Sequence, residues 1–396
     1  MKAVWFNQLD FDSLCKTSRL ELAAALCRMG HRLRIVGRSR RRRPRLAGMI
    51  PRPLLLTPRL PDPAGGIFFQ LQAMLLALCE IMRKADLILV DHYCAPTMLP
   101  FNVLSRAGLI ATTFVLDVRS APVDMAGLRG AVSRGRYNVS LRLAKLFYDG
   151  ITVITNLYRE DVSRRLRMDP AKIGVWGSGV REDVFDPQRV DKARAKRIRS
   201  ALGVNDKIIV IYHGILSSYR GLQETVGAFG LLRAEGFDRA VLVFLGDGPA
   251  AAEIRSLARS EGVSDAVKLI PSVPYREVPV YLSVADAGIL PFPSLKWWNM
   301  SCPLKLIEYL AMEKPVVLTD IPGHRAVVGG SECAFYIRDN SPATIALAIR
   351  NLAERKDSLT RIGKEGRKIV LEKFTWENQA HNLLNYIASL DRRKGR

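Results

Sequence analysis

The chain has 396 residues, 48% of them hydrophobic and 25% charged, which excludes a disordered or collagen-like polymer and at this length favours two domains. Sixty Lys and Arg against 38 Asp and Glu leave a formal net charge of +22. That excess points to a polyanion (nucleic acid, an anionic membrane face or phosphorylated small molecules) without choosing among them.

From the N-terminus, Met1 to Trp5 lead into polar residues rather than the apolar core of a signal peptide. Short β-branched runs predict strands over 2–6, 32–36, 87–90, 110–116 and 151–154. Between the first two, Leu20, Ala23, Ala24 and Cys27 recur at helical spacing over 18–29, and Gly30 supplies the stop. Residues 38–45, running RSRRRRPR from Arg38 to Arg45, are the one strongly biased segment. The longest apolar stretch, 67–82, contains Gln70, Gln72 and Glu80. Its 16 residues fall short of the roughly 20 that span a bilayer, so no crossing is expected. Its Phe68, Phe69, Leu71, Leu75, Leu76 and Leu78 suit either a core or a membrane interface. Six scattered cysteines without a CxxC pair suggest neither zinc nor a disulfide framework, and reduced thiols in the cytoplasm are expected.

A break at Asp186-Pro187 and a charged run after it place a hinge near 186–200, giving domains over 1–187 and 188–375. The second half alternates more cleanly, with strands over 208–212, 241–245, 267–270, 287–290 and 316–318. Helices over 222–232, 250–259, 303–312 and 343–353 lie between or after them. Strand–helix–strand order twice over implies an α/β protein with two doubly wound parallel sheets.

Ligands bind such sheets at the carboxyl ends of their strands, and three ends here carry promising residues. After IIVIYHG, Gly214 lets backbone pass close to a ligand, and Arg220-Gly221 opens a helix whose free N–H groups suit a phosphate. An ordinary turn with a solvated Arg fits equally well. In VFLGDGP, Gly246 and Gly248 flank an Asp, with Pro249 placed to start a helix. In the third segment, 299–320, Ser301 suits an N-cap and Pro303 the helix start, with Lys305 and Glu308 three apart on one face. Such a pair serves a diphosphate and a ribose, or is merely a surface ion pair.

Taken in order, Gly214…Arg220-Gly221, then GDGP, then a Pro-x-Lys-x-x-Glu-Tyr-x-Ala helix and KPVV resemble the GT-B glycosyltransferases of the family 4 type (glycosyl transferases group 1). The resemblance implies two Rossmann-like domains facing across a cleft, with a nucleoside-diphosphate sugar donor held by the second. It also implies transfer with retention of anomeric configuration. It assigns donor contacts to Gly214, Arg220, Gly246, Gly248, Val273, Ser301, Pro303, Lys305 and Glu308, with Glu308 on the ribose and the segment at Ser272 and Val273 reading the base. Arg220 and Lys305 are its candidate catalytic cations. Asp117, the third candidate catalytic residue, stands where many members place a histidine beside the reacting sugar, and orients the acceptor hydroxyl, acts as its base, or caps a turn with Arg119 as partner. His92 reads as a loop residue, and Thr17-Ser18 replaces the usual Gly-Gly loop. WGSGV with Asp183-Val184-Phe185 resembles the turn before the linker. Phe374-Thr375-Trp376 resembles the start of a last helix, 376–392, that returns to the first domain.

The chain departs from the pattern at Ile215, where an Arg is usual, and at Met300, where the first motif glutamate falls. The expected partners are a nucleotide-sugar donor, a glycan or lipid-linked acceptor, and an anionic membrane surface through 38–45. Neither cofactor nor metal is expected, and the place of work is cytoplasmic, peripheral to the membrane's inner face. Two other readings stand beside this one: a GT-B protein that binds sugar nucleotides without transfer, and a basic nucleic-acid-binding protein. The latter lacks a recognisable binding motif.

Overall fold

The computed structural model describes residues 1–10, 17–38, 54–55, 64–119, 127–204 and 206–393. The chain forms two compact units, one made of 1–177 with 376–396 and the other of 178–375.

The first unit runs β1 (Lys2–Asp10), α1 (Thr17–Arg28), β2 (Arg32–Arg38), β3 (Leu54–Leu55), α2 (Ala64–Met82), β4 (Leu87–Val90) and α3 (Leu99–Arg106). It continues through β5 (Thr113–Asp117), α4 (Gly127–Phe147), β6 (Gly150–Val153), α5 (Asn156–Leu166) and β7 (Ile173–Val175). Its seven strands pair in the order β3-β2-β1-β4-β5-β6-β7, all parallel. The central strands β4, β5 and β6 are buried along their whole length, which is why they read as continuous apolar runs rather than alternating ones.

Helix α2 is 19 residues long, longer than the apolar stretch that marks it, and by length and composition alone could cross a membrane. Phe69, Ala73 and Ala77 bury one of its faces. Glu80, buried on that side, takes Arg34 at 2.5 Å and Arg83 at 3.1 Å. Of the basic run, only Arg38 lies among the described residues.

The second unit runs α6 (Lys192–Leu202), β8 (Ile208–His213), α7 (Leu222–Ala234), β9 (Ala240–Leu245), α8 (Ala251–Ser260), β10 (Val267–Ile270), α9 (Val278–Val284), β11 (Ala287–Leu290) and α10 (Lys296–Asn299). It closes with α11 (Leu304–Ala311), β12 (Val316–Thr319), α12 (Pro322–Val328), β13 (Ala334–Ile337), α13 (Pro342–Glu354) and α14 (Leu359–Lys373). Six parallel strands pair in the order β10-β9-β8-β11-β12-β13.

The first boundary lies at Gly177 and Ser178, upstream of the expected 187. The intervening residues bond into the second unit: Ser178 Oγ donates to the Cys302 carbonyl at 2.6 Å, Val180 bridges to Thr375, and the Phe185 ring packs on Tyr275. The last helix, α15 (Trp376–Arg393), belongs to the first unit and packs on α1 and β7. Its Tyr386 hydroxyl donates to the Lys172 carbonyl at 2.6 Å, and its Gln379 accepts the Gly177 N–H at 2.6 Å.

Candidate functional site

In the second sheet, strand order reverses between β8 and β11, the place where a parallel sheet opens a crevice at its carboxyl edge. Gly221 (φ +73°) lies so close to the Pro291 carbonyl that any Cβ would collide with it, so the loop after β8 and the segment after β11 run in contact. Gly214 (φ +106°) sits in the region closed to most side chains, and a Cβ there would stand 2.9 Å from Lys305 Nζ. Gly246, after β9, lies against the Gly214 carbonyl, and Gly248 against that of Leu216. The three glycines singled out from sequence therefore form one backbone cluster beside Lys305.

The cations are set by aromatic rings. Lys305 Nζ stands 5.3 Å from the centre of the Tyr212 ring, and the Arg220 guanidinium 5.0 Å from Trp298 and 5.7 Å from Phe292. Trp298 Nε1 donates to the Tyr219 carbonyl at 3.0 Å, tying α10 to the loop that carries Arg220. Arg220 Nε is buried without a partner. Burial pushes the Tyr212 phenol up to about 12, against the pull of Arg220 beside it, so Tyr212 stays a neutral donor, to the Ile215 carbonyl at 3.0 Å.

Helix α11 starts differently from expectation. Ser301 does not cap it: its hydroxyl donates to the Trp298 carbonyl at 2.9 Å, and Pro303 occupies the N-cap position with no side-chain bond to the helix. Likewise Pro249 precedes α8 rather than opening it, with Ala250 as N-cap. The first N–H groups of α11 thus receive no side-chain cap, and two cations converge nearby. The arrangement suits an anion.

Glu308, one turn further along α11, is only 5% exposed, and its Oε2 lies 2.6 Å from His213 Nε2. His213 was not singled out from sequence, where it is merely the residue before Gly214. Burial lowers its pKa, and the bond to Glu308 only partly opposes this, so the ring is neutral at pH 7 and Nε2–H donates to the carboxylate. Its backbone N–H donates to the Tyr309 hydroxyl at 3.0 Å.

Asp247, inside the GDGP turn, is a second residue the sequence did not assign. It accepts from Ser272 N–H at 2.9 Å and Ser272 Oγ at 2.5 Å, and those two bonds hold its carboxyl below the usual range. It fixes the segment that carries half-buried Val273. Met300 ends α10 half-buried, its N–H directed to the Trp298 carbonyl.

In the first unit, Asp117 is fully buried at the end of β5. Its Oδ1 accepts from Thr152 Oγ1 at 2.9 Å and Trp176 Nε1 at 3.0 Å, and its Oδ2 pairs with Arg19 at 3.4 Å. This corrects two expectations: both oxygens are committed within the fold rather than open to an acceptor, and Arg119 is not the partner. Arg119 instead donates to the Trp176 and Gly177 carbonyls and stacks on the Trp176 ring. Asp91 likewise closes its own loop, accepting from the Gln8 and Cys94 N–H groups. His92 packs between Tyr93 and Tyr137. Among the described residues, no three His, Cys, Asp or Glu side chains gather as a metal site.

The family model of glycosyl transferases group 1 matches residues 194–369, which contain every residue of the β8–β11 crevice described above. That segment is similar to a group 1 glycosyltransferase domain. The chain is 25% identical over 216 residues to a GDP-mannose-dependent α-(1-6)-phosphatidylinositol monomannoside mannosyltransferase of Mycobacterium tuberculosis, covering 54% of this chain and 55% of that one. It is 20% identical over 225 residues to the α-D-kanosaminyltransferase of Streptomyces kanamyceticus, covering 57% and 56%. It spans about half the length of the curated relatives it matches. Among solved structures, Anabaena HepE in complex with UDP and glucose superposes with a TM-score of 0.75 at 14% identity, over 98% of this chain and all of that one. The chain thus has the GT-B fold.

Proposed function

We propose that the protein is a retaining glycosyltransferase that moves a sugar from a nucleoside-diphosphate sugar to a glycan or lipid-linked acceptor. The observation that carries this is the convergence at the β8–β11 crevice: Gly214 against Lys305, Arg220 over Trp298, and Glu308 one turn into α11. Departure of the sugar builds negative charge on the diphosphate. Arg220, Lys305 and the uncapped N–H groups of α11 are placed to stabilise it. Retention follows from the family resemblance, with the acceptor hydroxyl attacking from the leaving-group side and the diphosphate taking its proton. One relative is GDP-mannose-dependent and one similar structure holds UDP and glucose, so both nucleotides belong in any donor screen. A thermal-shift panel of UDP, GDP, ADP and their sugars tests the site: one nucleotide should raise Tm, and Glu308→Ala should abolish the rise. A shift unchanged by Glu308→Ala refutes the donor assignment. Anomeric NMR of the product tests retention.

A peripheral place on an anionic membrane is the second part of the proposal. Residues 38–45 supply charge, though 39–45 lie outside the described residues. Helices α2 and α4 supply apolar surface. Opposite its buried side, α2 exposes Ile67, Leu71, Leu75, Leu78 and Met82. The outward side of α4 exposes Leu128, Val132, Val139 and Leu146, with Arg134, Arg136, Arg142 and Lys145 exposed among them. Aliphatic ridges flanked by cations suit a helix lying in the headgroup layer. A second copy of a chain with net charge +22 is a poor alternative occupant. Flotation with phosphatidylserine vesicles should be lost both on neutralising Arg40–Arg43 and in Leu71→Gln/Leu75→Gln. Equal flotation by wild type and both variants sinks this part.

A further inference from the structure

Glu308 has a fixed protein partner, and the chemistry of that partner can be followed further. The His213 imidazole is the last side chain of β8 and is anchored twice to the helix bearing Glu308. Its backbone N–H donates to the Tyr309 hydroxyl at 3.0 Å, and its ring meets the edge of the Tyr309 ring at 4.8 Å between centroids. Nε2 stands 2.6 Å from Glu308 Oε2, with both side chains almost wholly buried.

The other ring nitrogen identifies the tautomer. Nδ1 is buried with no hydrogen-bond partner. An imidazolium would bury an N–H there with no acceptor, near the positive charge of Lys305. The neutral ring with its proton on Nε2 places its one donor on the carboxylate and leaves only a lone pair unmatched. A buried histidine with one unmatched nitrogen is a poor packing solution, since an aliphatic side chain would bury no polar atom at all. What it supplies is the single bond to Glu308. Without that bond, the opposite charge nearest in sequence to Glu308 is Lys305, three residues earlier on the same helix and within pairing reach. With it, Glu308 is drawn to His213 while Lys305 lies by Tyr212 and Gly214.

We propose that His213 is a positioning residue of the donor site, holding Glu308 in the orientation in which its carboxylate accepts a ribose hydroxyl of the nucleotide. This rests on the reading of Glu308 as the ribose contact. His213 touches no substrate itself. Its effect is on discrimination between ribose and a sugar lacking those hydroxyls, rather than on diphosphate binding.

The full chain is titrated calorimetrically with UDP, GDP and ADP, and with the 2′,3′-dideoxy form of whichever binds. The wild type should prefer the ribonucleotide by about tenfold or more, the scale of one hydrogen bond to a charged group. His213→Asn, too short to reach Glu308, should bring that preference to within about threefold. His213→Gln, whose side-chain N–H reaches the place of Nε2–H, should restore it. Circular dichroism and Tm identify variants that fail to fold, and the Gln variant carries the test if the Asn variant does. Equal weakening of both nucleotide forms in His213→Asn, or an unchanged preference, overturns the positioning role while leaving the donor site standing. Nucleotide affinity unchanged by Glu308→Ala, or no binding of any of the three probes, overturns the donor-site reading and this inference with it.

Discussion

Trp176 Nε1 donates to Asp117 Oδ1 at 3.0 Å, and this buried bond ties the turn after β7 to the end of β5. Asp117 is the acceptor on which Thr152, Trp176 and Arg19 converge. Asp117→Asn keeps one acceptor but turns an amide toward Arg19 and removes its counter-charge. Breaking a buried pair from one side costs about 3–5 kcal/mol. Arg19 keeps a little solvent access, so a loss of about 2–4 kcal/mol in urea unfolding is expected. Nucleotide affinity should be unchanged. A variant of wild-type stability that binds donor yet fails to transfer would return Asp117 to the reaction.

Arg220 is predicted to act through its planar fork rather than its charge alone. Arg220→Ala should lower transfer by about 10²–10³, the usual effect of removing one preorganised donor. Arg220→Lys should recover only part of it, because an ammonium cannot bridge two phosphate oxygens or stack on Trp298 in the same way. Initial rates at saturating donor measure both. Full recovery in the Lys variant would reduce Arg220 to a point charge.

Two glycines with left-handed backbone separate strain from function. Gly203 (φ +67°) has nothing within 4 Å of a built Cβ, whereas at Gly214 (φ +106°) the Lys305 ammonium stands 2.9 Å away. Gly203→Ala should cost about 1 kcal/mol of stability and leave nucleotide affinity alone. Gly214→Ala should cost about 1–3 kcal/mol and also weaken nucleotide binding by displacing Lys305. Paired melting curves and titrations decide it, and equal affinity in both variants would detach Lys305 from the donor.

Acid should loosen the second unit through His324. That ring is fully buried, donates Nδ1–H to the Thr319 carbonyl at 2.8 Å, and leaves Nε2 without a partner. Burial brings its pKa down from 6.5 to about 4. The unfolded chain therefore binds this proton more readily than the native one. The associated stability is complete above pH 6.5 and is lost as pH falls toward 4, to a total of about 3 kcal/mol. His324→Asn, which can keep a donor toward Thr319 without titrating, should flatten this part of the Tm-against-pH curve. A wild-type Tm that does not fall between pH 7 and 5 contradicts the prediction.

Much of this architecture was legible because parallel strands buried on both faces leave uninterrupted apolar runs, as in 87–90, 241–245 and 287–290. The strands that escaped notice lack that signal. β3 has two residues, and β7 has three with a glycine at its centre, packed under the Tyr386 ring of a helix more than 200 residues away, while β13, also missed, is a short and mostly half-buried edge strand. In the proposed donor site, glycines and cations were visible because turns and phosphates select those residue types locally. The partners were not. Nothing in linear order connects His213 to Glu308, Asp247 to Ser272 or Asp117 to Trp176, since each pair meets only after strands have assembled. Ser301 misled because a serine before a proline-led helix looks like a cap, and only the path of α10 shows its hydroxyl turned back to Trp298.

The first unit is completed by residues that follow the whole of the second. A ribosome makes the β8–β13 sheet and its covering helices before it makes Trp376, Gln379 or Tyr386, which close over β7 and Gly177. The earlier-made unit therefore stays without its last helix until the chain is nearly finished, with Gly150 and Gly174 uncovered, both of which lie against Tyr386 in the finished fold. A chain stopped short of α15 would keep every residue of the second unit and lack those that cover β7 in the first.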